Sequence, residues 1–251
     1  MDCLAAIRTL VACLVVAVST HGESFRIETK IYVGEQEEPT SETMTLFEGG
    51  VVYDFLAAPK QIAVFRKPSA DRPGRFILLD PQREFRTELD TERIDRALTK
   101  IRDWASEQPD PMLRFAAAPE FEESYTAESG ELVLASHLQT YRVATSVADK
   151  PAALAEYREF LDWYSRLNAL HRGLPPEPRL ALNAALTRHA VVPVSVELTR
   201  AGDREPIRAE HDFTWRLSQD DRGRIDEVRE AMANYRQVSN EIFVRRHGSQ
   251  Q

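Results

Sequence analysis

From Ser24 onward apolar and polar residues alternate, the period of a strand with one buried face. Phe25, Ile27, Ile31 and Val33 alternate with Arg26, Glu28, Lys30 and Tyr32, and Gly34 closes this first strand. After a polar link from Glu35 to Thr40, the runs Thr43 to Phe47 and Val51 to Phe55 flank Glu48, Gly49 and Gly50. That turn composition suits positive φ, so the pair reads as a hairpin. Gln61 to Arg66 and Arg75 to Leu79 follow on either side of the loop Lys67 to Gly74, and Glu84 to Leu89 returns through the turn Asp80-Pro81-Gln82. Six strands with no helix between them form a meander. They exclude a doubly wound nucleotide-binding sheet, in which strand and helix alternate.

The period then changes. Asp90 or Thr91 caps a helix with Ile94, Leu98, Ile101 and Trp104 on one face, ending near Gln108 before the Pro109 to Pro111 break. Met112 to Ala118 predicts a short helical turn. Phe121 to Tyr125, Glu131 to Ser136 and Leu138 to Val147 resume the strand pattern. Pro151 to His171 predicts a long helix with a wide apolar stripe of Leu154, Tyr157, Phe160, Leu161, Tyr164 and Leu167, stopped by Gly173. A shorter helix is expected over Leu180 to Arg188, a hairpin over Val192 to Thr199 and Ile207 to Leu217, and a last helix from Arg224 to about Val238. No linker or repeat divides this stretch. The expected fold is α+β: about ten strands in one strongly curved antiparallel sheet, an incomplete barrel, with three or four helices packed on its concave face.

Residues 1–22 are patterned differently. Met1 to Arg8 is short and weakly positive, and Thr9 to Val18 is an apolar run of about ten residues, well short of the ~20 that span a bilayer. This is the shape of a cleaved signal peptide, with cleavage after Ser19 or Gly22. It leaves a single domain over residues 23–244 and a frayed polar tail over 245–251, in a periplasmic or secreted protein. An alternative is a lipobox, Leu10-Val11-Ala12-Cys13, which would anchor the protein through Cys13. No later stretch is apolar enough to span a membrane, so membrane contact is at most peripheral.

Both cysteines, Cys3 and Cys13, leave with that signal, so no disulfide, thiolate metal site or cysteine nucleophile is expected. The remaining chain, about 229 residues, is long enough to bury a core without staples. The net charge of -8 disfavours nucleic acid as a partner. No Gly-x-Ser-x-Gly elbow, phosphate-cradling glycine loop or His-Glu-x-x-His pair is present. His137, His171, His189, His211 and His247 lack ligand spacing; His211 and Asp212, adjacent on a strand, point to opposite faces. Asp220 and Asp221 read as the start of the last helix. Neither catalysis, metal nor cofactor is expected.

The opening amphipathic strand Phe25 to Val33, the hairpin Thr43 to Phe55, and Phe76-Ile77-Leu78-Leu79-Asp80-Pro81 followed by a returning strand and a helix resemble the periplasmic lipoprotein carriers of the LolA and LolB type. The resemblance is architectural and covers most of the chain after residue 22. It implies an incomplete barrel whose apolar interior, lidded by helices, accepts acyl chains. No counterpart of the arginine that holds the LolA lid shut, or of the apolar loop by which LolB delivers its cargo, is found. Phe47, Phe55, Phe65, Phe76, Phe85, Phe213 and Trp215 are the aromatics expected to line such an interior. Two functions stand side by side: a carrier of a lipid or lipoprotein acyl chain, and a non-catalytic structural or interaction module that fills its own core and meets an envelope protein partner.

Overall fold

The computed structural model describes residues 22–148 and 150–245, so all but the last residue of the expected signal peptide, the lipobox and all but the first residue of the polar tail lie outside the described residues. The chain opens with six strands: β1 (Phe25–Val33), β2 (Ser41–Glu48), β3 (Val51–Leu56), β4 (Gln61–Arg66), β5 (Arg75–Asp80) and β6 (Phe85–Asp90). Two helices follow, α1 (Thr91–Ser106) and α2 (Pro111–Ala117), then β7 (Glu122–Thr126), β8 (Glu131–Ala135) and β9 (Gln139–Val147). Next come α3 (Pro151–Arg172), α4 (Glu177–Arg188), β10 (Val191–Arg200), β11 (Ile207–Thr214), α5 (Gln219–Asn234), β12 (Arg236–Gln237) and α6 (Asn240–Arg245).

All twelve strands form one mostly antiparallel, unclosed sheet in the order β12-β6-β5-β4-β3-β2-β1-β11-β10-β9-β8-β7. The meander leaves the centre in one direction. The chain then crosses over and returns strand by strand until β11 pairs with β1, from Arg26↔Thr214 to Val33↔Ile207. At the β2–β3 turn Gly49 and Gly50 both have positive φ, 61° and 76°, as a two-residue hairpin with right-handed strand twist requires.

Because side chains alternate across a strand, two core groups separate by parity. Phe47, Val52, Ala63, Phe65, Phe76, Leu78 and Leu89 face α1 and α3, meeting Ile94, Leu98, Tyr157, Phe160 and Leu167. Leu46, Tyr53, Val64, Ile77 and Leu79 face the other way, under Ile225, Val228 and Met232 of α5. A third group joins Leu132, Leu134, Tyr141 and Val143 to Leu182, Ala185 and Leu186 of α4.

Three expectations are corrected here. Twelve strands and six helices are found among the described residues, against about ten and three or four, and the helices cover both faces of the central strands rather than one. The reason is in the residues: Phe76-Ile77-Leu78-Leu79 is a continuous apolar run, the mark of a strand buried on both sides. The last helix begins at Gln219, so Asp220 and Asp221 lie in its first turn as their acidic pair suggests, while the Arg224 start is five residues late; Gly223 is inside it and it ends at Asn234. Its start is fixed by a capping box: the Asp221 amide donates to Ser218 Oγ at 3.1 Å, and the Ser218 amide donates to Asp221 Oδ2 at 2.9 Å. Ser218→Ala is expected to lower stability by about 1 kcal/mol, read as a lower urea midpoint at unchanged slope. An unchanged midpoint would show that the cap contributes nothing.

Candidate functional site

On the face beneath α3, paired strands align their side chains in transverse rows. One row runs Phe25, Phe47, Val52, Phe65, Phe76, Leu89; the next runs Phe213, Ile27, Thr45, Asp54, Ala63, Leu78, Thr87; a third begins His211, Thr29, Thr43. The face thus grades from aromatic to polar across three rows.

Five of the seven expected lining residues share the aromatic end. Phe47, Phe65 and Phe76 are buried, Phe65 and Phe76 with centroids 4.8 Å apart. Phe213 and Trp215 stack at 5.4 Å, and Trp215 lies just past the end of β11 rather than within a strand. Phe25, not among the seven, links them: it stacks on Phe47 at 4.0 Å and meets Trp215 at 5.6 Å. Phe85 is on the same face near the sheet edge, with the guanidinium groups of Arg83 and Arg236 each 5.9 Å from its ring. Phe55 does not belong to this face. Its parity turns it toward α5 with Val51 and Tyr53, so it cannot line the same space.

The aromatic row is packed by α3, together with Ile94 and Leu98 of α1. Phe160 packs edge-on to Phe47 at 5.7 Å and lies 6.2 Å from Phe65, while Tyr157 meets Phe213 edge-on at 5.3 Å. The gap left between Val52, Phe65, Glu156 and Glu159 is about 10 Å³, room for about one water. On the outer side of α3 an open groove of about 420 Å³ runs past Arg158, Glu159 and Asp162 to Thr187.

The second row carries polar groups into this core. Asp54 is 3% exposed; Thr45 Oγ1 donates to its Oδ1 at 2.6 Å, and the Tyr164 hydroxyl of α3 donates to the same carboxylate. Burial pushes the Asp54 carboxyl above the usual carboxylate range, and the two donors only partly offset that. Burial and the facing carboxylate push the Tyr164 hydroxyl well up. In the third row Thr29 Oγ1 lies 2.9 Å from His211 Nδ1. The His211 ring is half-buried with Nε2 shut away from solvent, and burial, with Arg179 nearby, lowers its pKa to about 3. His211 is therefore no ordinary surface residue, as its sequence position suggested, because β1 pairs with β11 and brings it under the helices.

The sequence carries one signal for this polar seam. Asp54 stands inside the apolar run Val51 to Leu56 with a parity that points inward, and a carboxylate there must be paired or protonated. Nothing local marks Tyr164 as its neighbour.

Among the described residues no helix is long and apolar enough to cross a membrane, and no group of three or more His, Cys, Asp or Glu could hold a metal ion. No protein-family model matches the chain, and no curated protein matches it significantly.

Proposed function

We propose that the chain is an exported envelope protein that binds an acyl chain or similar apolar ligand on the aromatic face, with α3 as the lid that occupies the ligand's seat until it arrives. In this reading the sheet curls around α1 and α3 as an incomplete barrel, the arrangement expected of a relative of the LolA and LolB carriers. The observation that carries it is the fit of α3 to the face: Phe160 and Tyr157 pack on Phe47, Phe65 and Phe213, yet the helix buries the Tyr157 hydroxyl without a partner among the described residues. A buried donor left unpaired costs about 1–3 kcal/mol, so α3 is held less tightly than its apolar area suggests.

Magnitudes make the exchange feasible. Lifting α3 exposes Tyr157, Phe160 and Leu167, at about 1.5–3 kcal/mol each, while burying a sixteen-carbon chain at about 0.8 kcal/mol per methylene returns roughly 12 kcal/mol. The second reading, a module that fills its own core and serves as a structural or interaction protein, is favoured by the gap of about 10 Å³, far below the 300 Å³ or more of ordinary ligand pockets.

Native mass spectra of protein purified from a bacterial periplasm separate the two. Adducts of fatty-acid or phospholipid mass, with uptake of a fluorescent acyl probe, are expected. A clean ligand-free mass with no uptake of the probe supports the filled core instead. Trp215 is only half-buried, so Trp215→Glu is expected to abolish uptake with the fold kept, as circular dichroism reports. Uptake unchanged in that folded variant removes the aromatic face from the ligand's path.

A further inference from the structure

We propose that the expected signal is cut off between Gly22 and Glu23, and that the ammonium group so created on Glu23 pairs with Glu156 and ties the start of α3 to the start of β1. This rests on export, the first half of the proposed function, and is independent of what the aromatic face binds. The bond broken is the peptide C–N, hydrolysed by the signal peptidase of the exporting membrane. Water gives its hydroxyl to the Gly22 carbonyl and a proton to the Glu23 nitrogen, and the proton that the new carboxyl sheds completes the ammonium.

Gly22 and Glu23 lead into β1 through the corner between the β2–β3 turn and the start of α3. A Cβ added at Gly22 would stand 2.4 Å from the Gly50 nitrogen and 2.8 Å from Glu156 Oε1. Glu23 is held at two points. Its carboxylate accepts from Nζ of Lys150, the N-cap of α3, at 3.0 Å, and its backbone N–H donates to the Glu156 carboxylate one turn further along the helix. Two residues on, Phe25 enters the aromatic row, flat on Phe47 at 4.0 Å.

This corner is short of one positive charge. Glu156, Glu159 and Lys67 line the gap of about 10 Å³, and Glu23 with Lys150 adjoins them. Lys150 is engaged by Glu23, and among the described residues neither Glu156 nor Glu159 has a cation at ion-pair distance. Three carboxylates thus meet two ammonium groups. Burial pushes the Glu156 carboxyl above its ordinary range; Lys67 and the Glu23 N–H offset this in part, and the carboxylates of Glu23 and Glu159 add to it. A full positive charge at the Glu23 nitrogen balances the set and turns an amide donor into a charge-assisted one.

The two expected cuts differ on this point. After Ser19 the ammonium would sit on Thr20, three residues from the contact. Only after Gly22 does it fall on the nitrogen already bonded to Glu156, and Thr20 and Gly22 then supply the small residues that precede such a cut.

The test expresses the full chain with its own signal, recovers it from a bacterial periplasm and reads its first residue by intact mass and N-terminal sequencing. Glu23 is expected. Thr20, or an acylated Cys13, overturns the proposal and leaves export standing, whereas an uncut Met1 overturns both. Gly22→Ala, lost with the signal, is expected to leave the Tm of the processed protein unchanged. A lower Tm would show that residue 22 stays in its tight seat and would overturn the cut. The pairing is read from the amine itself. At pH 7 an acylating reagent is expected to label the Glu23 amine about tenfold more slowly than in Glu156→Gln, the effect of an ion pair that raises an α-amino pKa by about one unit. Equal labelling rates in the two folded proteins overturn the pairing.

Discussion

Replacing Phe47 by alanine is expected to lower the free energy of unfolding by about 3–5 kcal/mol, the range for removing a large buried aromatic. Phe47 is 1% exposed and occupies the middle of the aromatic row. Its ring lies flat on Phe25 at 4.0 Å with planes 9° apart, and receives the edges of Phe160 at 5.7 Å and Tyr157 at 6.5 Å. The substitution therefore loses transfer free energy, two edge-on contacts to α3 and the packing around a cavity that strands on either side cannot close. Phe55→Ala is the matched control: Phe55 is one strand away, but it is half-buried on the face under α5. Urea unfolding should show a larger drop for Phe47→Ala than for Phe55→Ala. Equal drops would mean that the two faces contribute alike and that α3 has no special seat at Phe47.

That contrast between Phe47 and Phe55 marks how far the sequence could be read. The meander was legible because each run carries its own period and its own turn chemistry, Gly49-Gly50 at one hairpin and Asp80-Pro81 at another. Asp80 shows why such turns are local: its carboxylate accepts the amides of Gln82 at 3.0 Å and Arg83 at 3.1 Å within four residues. The face of each strand residue was legible only as parity, and parity does not say which face the helices cover. Phe47 and Phe55 have opposite parities and share one lining only if a single face is covered, whereas helices cover both.

What lay beyond reach depends on pairing across the chain. β12 is two residues long and adds in parallel to β6, Arg236 against Phe85, with no pattern of its own. The contact of Thr29 with His211 joins residues 182 apart, and it forms only because β11 pairs with β1. The aromatic half of the site was thus visible as composition on strands, and the polar half was not, since it is made by register and by helix docking.

The same polar half should give the protein a pH dependence that tells buried groups from surface charge. Burial raises the Asp54 carboxyl above its ordinary 3.8, so the folded protein holds this proton more tightly than the unfolded chain. Its contribution to stability is complete below about pH 3.8 and is lost as pH rises through the raised folded value, with a slope of up to about 1.4 kcal/mol per pH unit for one proton. His211 has the opposite sign. With a folded pKa of about 3 against an ordinary 6.5, it favours the neutral ring when folded, so its contribution is complete above pH 6.5 and is lost as pH falls toward 3. The groups facing Asp54 are the hydroxyls of Thr45 and Tyr164, neither of which ionises in this range. Asp54→Asn removes the titration and keeps the shape. Glu156 and Glu177, also raised by burial, and Glu123 and Asp221, lowered by their partners, titrate equally in both proteins and cancel from the difference. Urea midpoints measured from pH 4 to pH 7 should therefore fall with pH in the native protein relative to Asp54→Asn. A difference that stays constant across that range would mean that Asp54 keeps its ordinary pKa, and that water already reaches the seam beneath α3.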